Sequence, residues 1–263
     1  MKKHIPRKRF GQHFLHDRHI IHDIIAAISP EIHENIIEIG PGLGALTVEL
    51  LKKTGHLTAI ELDRDLIQQL TFNCKSYGNL RLIHADALTF DYTQLIKPDQ
   101  QIRLVGNLPY NISTPLLFHL INYANDIKDM YFMLQKEVVD RIVAEVGSAA
   151  YSRLSVMLQY YCEADELFTV DPSAFTPPPA VNSAVIKMVP HKNFAQKAND
   201  LKHFSMIVSE AFNQRRKTLR NCLKKVIPAT HLEKLGINPE LRPQQLSVAD
   251  YVNISNSVCH FKQ

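Results

Sequence analysis

Between residues 35 and 189 short apolar runs alternate with helix-period segments, and no other feature constrains the fold as much. NIIEI (35–39), HLTAIEL (56–62), LRLIHA (80–85), IRLV (102–105), MYFML (130–134), ELFTV (166–170) and SAVIKMV (183–189) read as strands. LGALTVELLKK (43–53), DRDLIQQLTFNC (63–74), STPLLFHLINYA (113–124), KEVVDRIVAEV (136–146) and SRLSVMLQYYC (152–162) read as helices between them. An amphipathic helix over 19–28 precedes the series, with Ile20, Ile21, Ile24, Ile25 and Ile28 at helical spacing. Strands joined by helices predict a doubly wound, mainly parallel, seven-stranded α/β sheet. The last two strands have no helix between them and predict a hairpin that contributes one antiparallel strand.

The pattern changes after Pro190, where HKNFAQKAND reads as a polar linker and only helical periodicity follows. Two domains are therefore expected, at 1–190 and 191–263, the second small and all-helical. Hydrophobic residues at 45% and charged residues at 21% suit a globular chain. No apolar run approaches the roughly 18 residues of a membrane span. The first residues, MKKHIPRKRFGQHF, lack the apolar stretch of a signal peptide. Cys74, Cys162, Cys222 and Cys259 are scattered without metal-site spacing, which predicts reduced thiols in a cytoplasmic protein and no zinc. His16, Asp17, His19, His22 and Asp23 look like metal ligands on paper, but a helix there provides no compact set of three.

The net charge of +4 is unevenly spread. Lys2, Lys3, Arg7, Lys8 and Arg9 precede the first acid, Asp17. Arg215, Arg216, Lys217, Arg220, Lys224 and Lys225 lie in an acid-free run between Glu210 and Glu233. Two such clusters suggest a polyanionic partner; a solvated helix face and a terminal tail would give the same charge runs.

The first predicted strand runs into Gly40-Pro41-Gly42-Leu43-Gly44, a turn that lets backbone N–H groups approach a ligand. The third glycine comes one residue too early for a dinucleotide fingerprint. Glu61 ends the second strand, where a carboxylate can accept from both hydroxyls of a ribose. Asp86 follows the third, where a carboxylate or its backbone can meet an adenine amino group. Strand-end acids are also ordinary helix caps, but three positions converging on one sheet edge favour an adenosine ligand. With no P-loop lysine to grip a phosphate, S-adenosyl-L-methionine fits best.

VGNLPYNIST (105–114) supplies what a methyl donor lacks, a device to activate a poor nucleophile. The lone pair of an adenine amine is delocalised into the ring. The side-chain carbonyl of Asn107 and the backbone carbonyl of Leu108 can hold the amine hydrogens and aim that lone pair at a methyl carbon. Pro109 fixes the loop and Tyr110 offers a face for a base to stack on. Gln135-Lys136-Glu137, after the fifth strand, suits either an RNA contact or a helix start.

GNLPY (106–110) resembles the fourth motif of the rRNA adenine N6,N6-dimethyltransferases. KRFGQHFL (8–15), EIGPGLG (38–44), ELD (61–63), HADA (84–87), FTPPPAVNS (175–183) and FNQRRKTLRN (212–221) are similar to their other motifs, so the resemblance covers nearly the whole chain. It implies a Rossmann-like class I methyltransferase fold. It implies that His13, Leu15, Gly40, Gly42, Glu61, Asp86 and Asn107 bind S-adenosylmethionine or its reacting region. Phe175 would stack on the target adenine opposite Tyr110, with Pro177-Pro178-Pro179 holding that wall extended. The family usually has Asn where this chain has His13, which adds a titratable group at the methionine end of the cofactor. The implied partner is small-subunit rRNA within a 30S particle, dimethylated at two neighbouring adenines near its 3′ end by a monomer. A large-subunit rRNA methyltransferase shares the core motifs, and a non-catalytic assembly factor could retain the pocket. The basic helical C-terminal region favours the small subunit, and Asn107, Tyr110 and Phe175 together favour retained chemistry.

Overall fold

The computed structural model describes residues 12–193 and 196–258. The basic run Lys2–Arg9 and Cys259 lie outside them.

The chain divides into two units, Met1–Val139 with Glu163–Pro190, and Asp140–Cys162 with His191–Gln263. The expected boundary at 190 is therefore incomplete, because residues 140–162 join the C-terminal unit.

The first unit opens with a short strand, β1 (Phe14–Leu15), and helix α1 (Arg18–Ile28), whose N-terminus is capped by Asp17 through the N–H groups of His19 and Ile20. There follow β2 (Asn35–Ile39), α2 (Ala45–Thr54), β3 (His56–Glu61), α3 (Arg64–Cys74) and β4 (Asn79–His84). β5 (Ile102–Asn107), α4 (Ser113–Leu120), β6 (Ile127–Gln135) and α5 (Lys136–Ile142) come next. After α6 (Arg153–Tyr161), β7 (Cys162–Val170), the short β8 (Phe175–Thr176) and β9 (Ser183–Pro190) complete the strands.

Seven of these strands form one sheet in the order β4-β3-β2-β5-β6-β9-β7. The β2–β3, β3–β4, β2–β5 and β5–β6 pairs are parallel. β9 runs antiparallel to β6, which supplies the expected reversed strand. All five residues of β2 are buried, as a central strand covered on both faces requires. The order reverses between β2 and β5, so their C-terminal ends open a crevice where open α/β sheets bind ligands. Glu38, Glu61 and Asn107 stand at the ends of three neighbouring strands there.

Arg103 is a buried cation on β5, and its environment explains why the strand tolerates it. Its guanidinium donates to both carboxylate oxygens of Asp129 (2.8 and 3.0 Å), to the Ile28 carbonyl (2.7 Å) and to Glu34. Burial pushes the Glu34 carboxyl up, but hydrogen bonds from Lys128, the Glu31 N–H and Arg103 outweigh it and hold it below the ordinary value of 4.5.

β1 and β8 form a second, two-stranded sheet with Leu15 opposite Phe175 and Phe14 opposite Thr176. Neither strand is legible from periodicity, since two residues carry no period.

In the second unit α6 packs against α7 (Leu201–Asn213) and α10 (Val248–Val258), which is why residues 140–162 belong with it. The Tyr160 and Phe204 rings lie 4.7 Å apart, and Gln159 donates to the carbonyls of Ile142 and Ala144. Short helices α8 (Leu219–Cys222) and α9 (Ala229–Lys234) lie between α7 and α10 in the chain. The basic run is not one helix. α7 ends at Asn213, residues 214–216 form a turn with a bend at Lys217, and the six cationic side chains are exposed. Among the described residues no strand follows Pro190, and no helix is long and apolar enough to cross a membrane.

Candidate active site

The cavity at the β2/β5 crevice is lined by the glycine turn, the strand-end acids, the NLPY loop and residues 12–15. Among the described residues, three carboxylates (Glu38, Glu61 and Asp86) and His13 face it, and no lysine or arginine does. Three carboxylates in one cavity favour a cationic ligand.

Each part has a local cause. The Gly40 N–H donates to the Ile60 carbonyl at 2.9 Å, tying the turn to β3. Gly42 has φ +58, and a Cβ there would lie 3.2 Å from the Phe14 ring, so the turn needs glycine both for backbone and for space. Gly106 matters more for closeness: a Cβ would lie 2.4 Å from the Ile39 carbonyl oxygen. With glycine there, β5 stays in register through Asn107 beside the turn, two residues beyond the predicted strand end.

Glu61 is 7% exposed. Its Oε1 accepts from the Asp63 N–H (2.8 Å) and its Oε2 from the Gly42 N–H (3.2 Å). Two oxygens with two lone pairs each leave this carboxylate room to accept from a ribose hydroxyl as well. Burial pushes its pKa above the ordinary value, with those two hydrogen bonds opposing. The cap of α3 is Asp63, not Glu61. Asp86 accepts from the Leu88 N–H (2.9 Å) and lines the cavity beside Ala85 and Ala87.

The Asn107 side chain donates from Nδ2 to the His13 carbonyl at 2.9 Å. Turning the amide over would set oxygen against oxygen, so this partner fixes its orientation and leaves Oδ1 for a ligand. Leu108 is buried, its N–H given to the Met133 carbonyl (3.1 Å), and Pro109 accepts from the Ile112 N–H. The Tyr110 hydroxyl shares a 2.6 Å hydrogen bond with Ser183 Oγ. Burial raises its pKa, with that bond opposing. The His13 ring lies stacked on Tyr110, centroids 5.6 Å apart and planes 24° apart, and its Nδ1 is 2.7 Å from the Pro177 carbonyl oxygen. Leu15 is buried and lines the cavity.

One expected member is elsewhere. Phe175 is 2% exposed, packs in the core with Leu15, Val170 and Ala174, and does not line the cavity. Pairing of β8 with β1 turns Phe175 inward and leaves Thr176 exposed. The triple proline lines no part of the cavity either, and Pro177 acts through its carbonyl on His13. Lys136 begins α5 and pairs with Glu166 at 3.0 Å. Asp17 is a helix cap, and among the described residues no group of three or more His, Cys, Asp or Glu could hold a metal ion. Sequence reasoning missed Glu38, Phe14, Gln12 (which donates to Asp63 at 3.0 Å) and Ser183. Glu38 alone had a signal, a carboxylate inside the otherwise apolar NIIEI.

A sheet of this order, with an acid-lined pocket and glycine turn at its switch point, defines a class I S-adenosylmethionine-dependent methyltransferase. The family model described as ribosomal RNA adenine dimethylase matches residues 3–259. Curated relatives called "Ribosomal RNA small subunit methyltransferase A" are 54% identical over 256 residues in Coxiella burnetii (strain RSA 493 / Nine Mile phase I), covering 97% of this chain and 99% of theirs. The Hahella chejuensis relative of that name is 51% identical over 255 residues, covering 97% and 93%. The crystal structure of a dimethyladenosine transferase from Plasmodium falciparum has a TM-score of 0.79 at 27% identity, covering 92% of this chain and 96% of that one. The chain belongs to the ribosomal RNA adenine dimethylase family. It is an enzyme that uses S-adenosylmethionine to methylate adenine in rRNA.

Proposed function

We propose that this enzyme dimethylates N6 of two neighbouring adenines near the 3′ end of small-subunit rRNA, acting as a monomer on a 30S particle in the cytoplasm. The names of its relatives at about half identity support the small subunit. The observation that carries the chemistry is the orientation of Asn107, whose bond to the His13 carbonyl fixes the amide so that Oδ1 is left to accept from the target amine.

Gly40, Gly42, Glu61 and Asp86 would hold the adenosine half of the cofactor, and His13, Leu15 and Asn107 would border its methionine half. The bound cofactor supplies a methyl carbon on a positive sulfur. The chain's own task is alignment. Asn107 Oδ1 and the Leu108 carbonyl accept the two N6 hydrogens, draw the lone pair out of conjugation with the ring and aim it at the methyl group. Each transfer leaves a neutral thioether and a positively charged N6, which loses a proton to solvent; after the first a single N–H remains, and one acceptor still orients it for the second. Pro109 holds the two acceptors at a fixed spacing, and Tyr110 carries the base on its ring. The ring of His13 covers one face of Tyr110.

Incubation with labelled S-adenosylmethionine and unmethylated small subunits, followed by nucleoside analysis, tests this reading. N6,N6-dimethyladenosine at two adjacent positions is expected. Label confined to large-subunit rRNA, or to monomethylated product at saturating cofactor, contradicts it.

A further inference from the structure

Glu38 is the cavity acid to which the mechanism gives no work. It stands on β2 opposite Ala59 of β3 and Val105 of β5 and is 2% exposed. Its Oε2 accepts from Thr47 Oγ1 of α2 at 2.6 Å. The carboxyl of Glu61 acts on it from β3, and the Cys74 thiol of α3 feels its charge. Asp86, His13 and Tyr110 line the same cavity.

A carboxylate buried this deeply, with one hydroxyl donor on it and a second acid facing it, is more stable as the neutral acid until a positive charge arrives. Burial pushes its pKa up to about 8, with the Thr47 bond opposing and Glu61 adding to the rise. A positive charge in the cavity reverses that balance, because attraction to a cation favours the ionised form.

We propose that Glu38 is a proton-exchanging counter-ion through which the pocket selects a cationic cofactor. The carboxyl holds a proton in the empty cavity and releases it to solvent when S-adenosylmethionine binds. The charge of the pocket then follows the charge of its occupant. A neutral adenosine thioether leaves the proton in place and gains nothing from Glu38. This role rests on the cavity being the cofactor site. Glu38 acts here as a specificity-determining residue and takes no part in methyl transfer.

Calorimetry in phosphate and in Tris at pH 7 reads the protons exchanged per ligand bound. The probes are S-adenosylmethionine and 5′-methylthioadenosine, which has the adenosine and the sulfur but no positive charge. Wild type should release most of one proton more with the first than Glu38→Gln does. Ionisation of the ligand's own amine is common to both proteins and cancels in that difference. Neither protein should release a proton with methylthioadenosine. The preference for the cationic ligand should fall about tenfold or more in Glu38→Gln. Thr47→Val, which keeps shape and removes the hydroxyl, should move the midpoint of the linked release to higher pH and keeps the test open if Glu38→Gln does not fold. Equal proton release by wild type and Glu38→Gln overturns the proposal, as does an unmoved midpoint in Thr47→Val. Failure of wild type to bind S-adenosylmethionine at all would instead overturn the cofactor site.

Discussion

At the scale of single residues, Glu61 and Phe175 separate what the sequence shows from what it hides. The position of Glu61 was legible because a strand end followed by a helix start leaves few places for an acid to point. Its two backbone donors were not, since they depend on how the glycine turn folds back. Glu61→Ala should weaken cofactor binding by roughly 1.5–3 kcal/mol, the loss of charge-assisted hydrogen bonds to the ribose. Titration calorimetry with unchanged affinity would remove Glu61 from the site. The motif around Phe175 gives a residue type and not the face it turns to, and the structure buries that ring in the core. Its burial against Leu15 and Val170 predicts that Phe175→Ala lowers stability by about 3–5 kcal/mol, as removal of a core aromatic does. A thermal midpoint equal to wild type, with turnover abolished, would restore it to the base pocket.

At the scale of elements, the long strands and helices were legible because burial imposes a period, and the errors lie where it does not. β6 and β7 each begin three or four residues earlier than their apolar runs, since Ile127-Lys128-Asp129 and the alternating Cys162–Asp165 mix polar residues into paired strands. Arg103 shows the energetic reason that a charge can occupy a central strand. Replacing it with Met removes the guanidinium from Asp129, leaves Glu34 with only Lys128 and the Glu31 N–H, and should cost about 3–5 kcal/mol. The pH dependence has a definite sign. Glu34 is held below 4.5, so its contribution is present above that pH and is lost as pH falls through the depressed value. Denaturant melts of Arg103→Met should therefore show a smaller loss of stability on acidification than wild type. An identical acid limb would mean that Arg103 does not depress Glu34.

At the scale of the whole molecule, a change of pattern at Pro190 marked the linker but could not show that residues 140–162 cluster with the C-terminal helices. That grouping is made by side-chain packing between segments far apart in sequence, as in Tyr160 with Phe204. Cutting the chain at 190 would therefore strip α6 of its partners, and charge substitution is the better probe of RNA binding. Arg215 donates to the Ala149 carbonyl and Arg220 pairs with Glu240 at 2.7 Å, so Arg216, Lys217, Lys224 and Lys225 are the positions to change. Replacing these four with Gln should leave cofactor affinity unchanged and make the log–log salt slope of subunit binding shallower, by about 0.7–0.9 for each phosphate no longer neutralised. An unchanged slope would place the RNA elsewhere. The central claim, that Asn107 aligns the target amine, is tested most directly by single-turnover methylation of unmethylated small subunits by Asn107→Ala at saturating S-adenosylmethionine. The account predicts a rate lower by about two orders of magnitude, as when one preorganised hydrogen-bonding group is removed, with stability nearly intact. A rate close to wild type would contradict it.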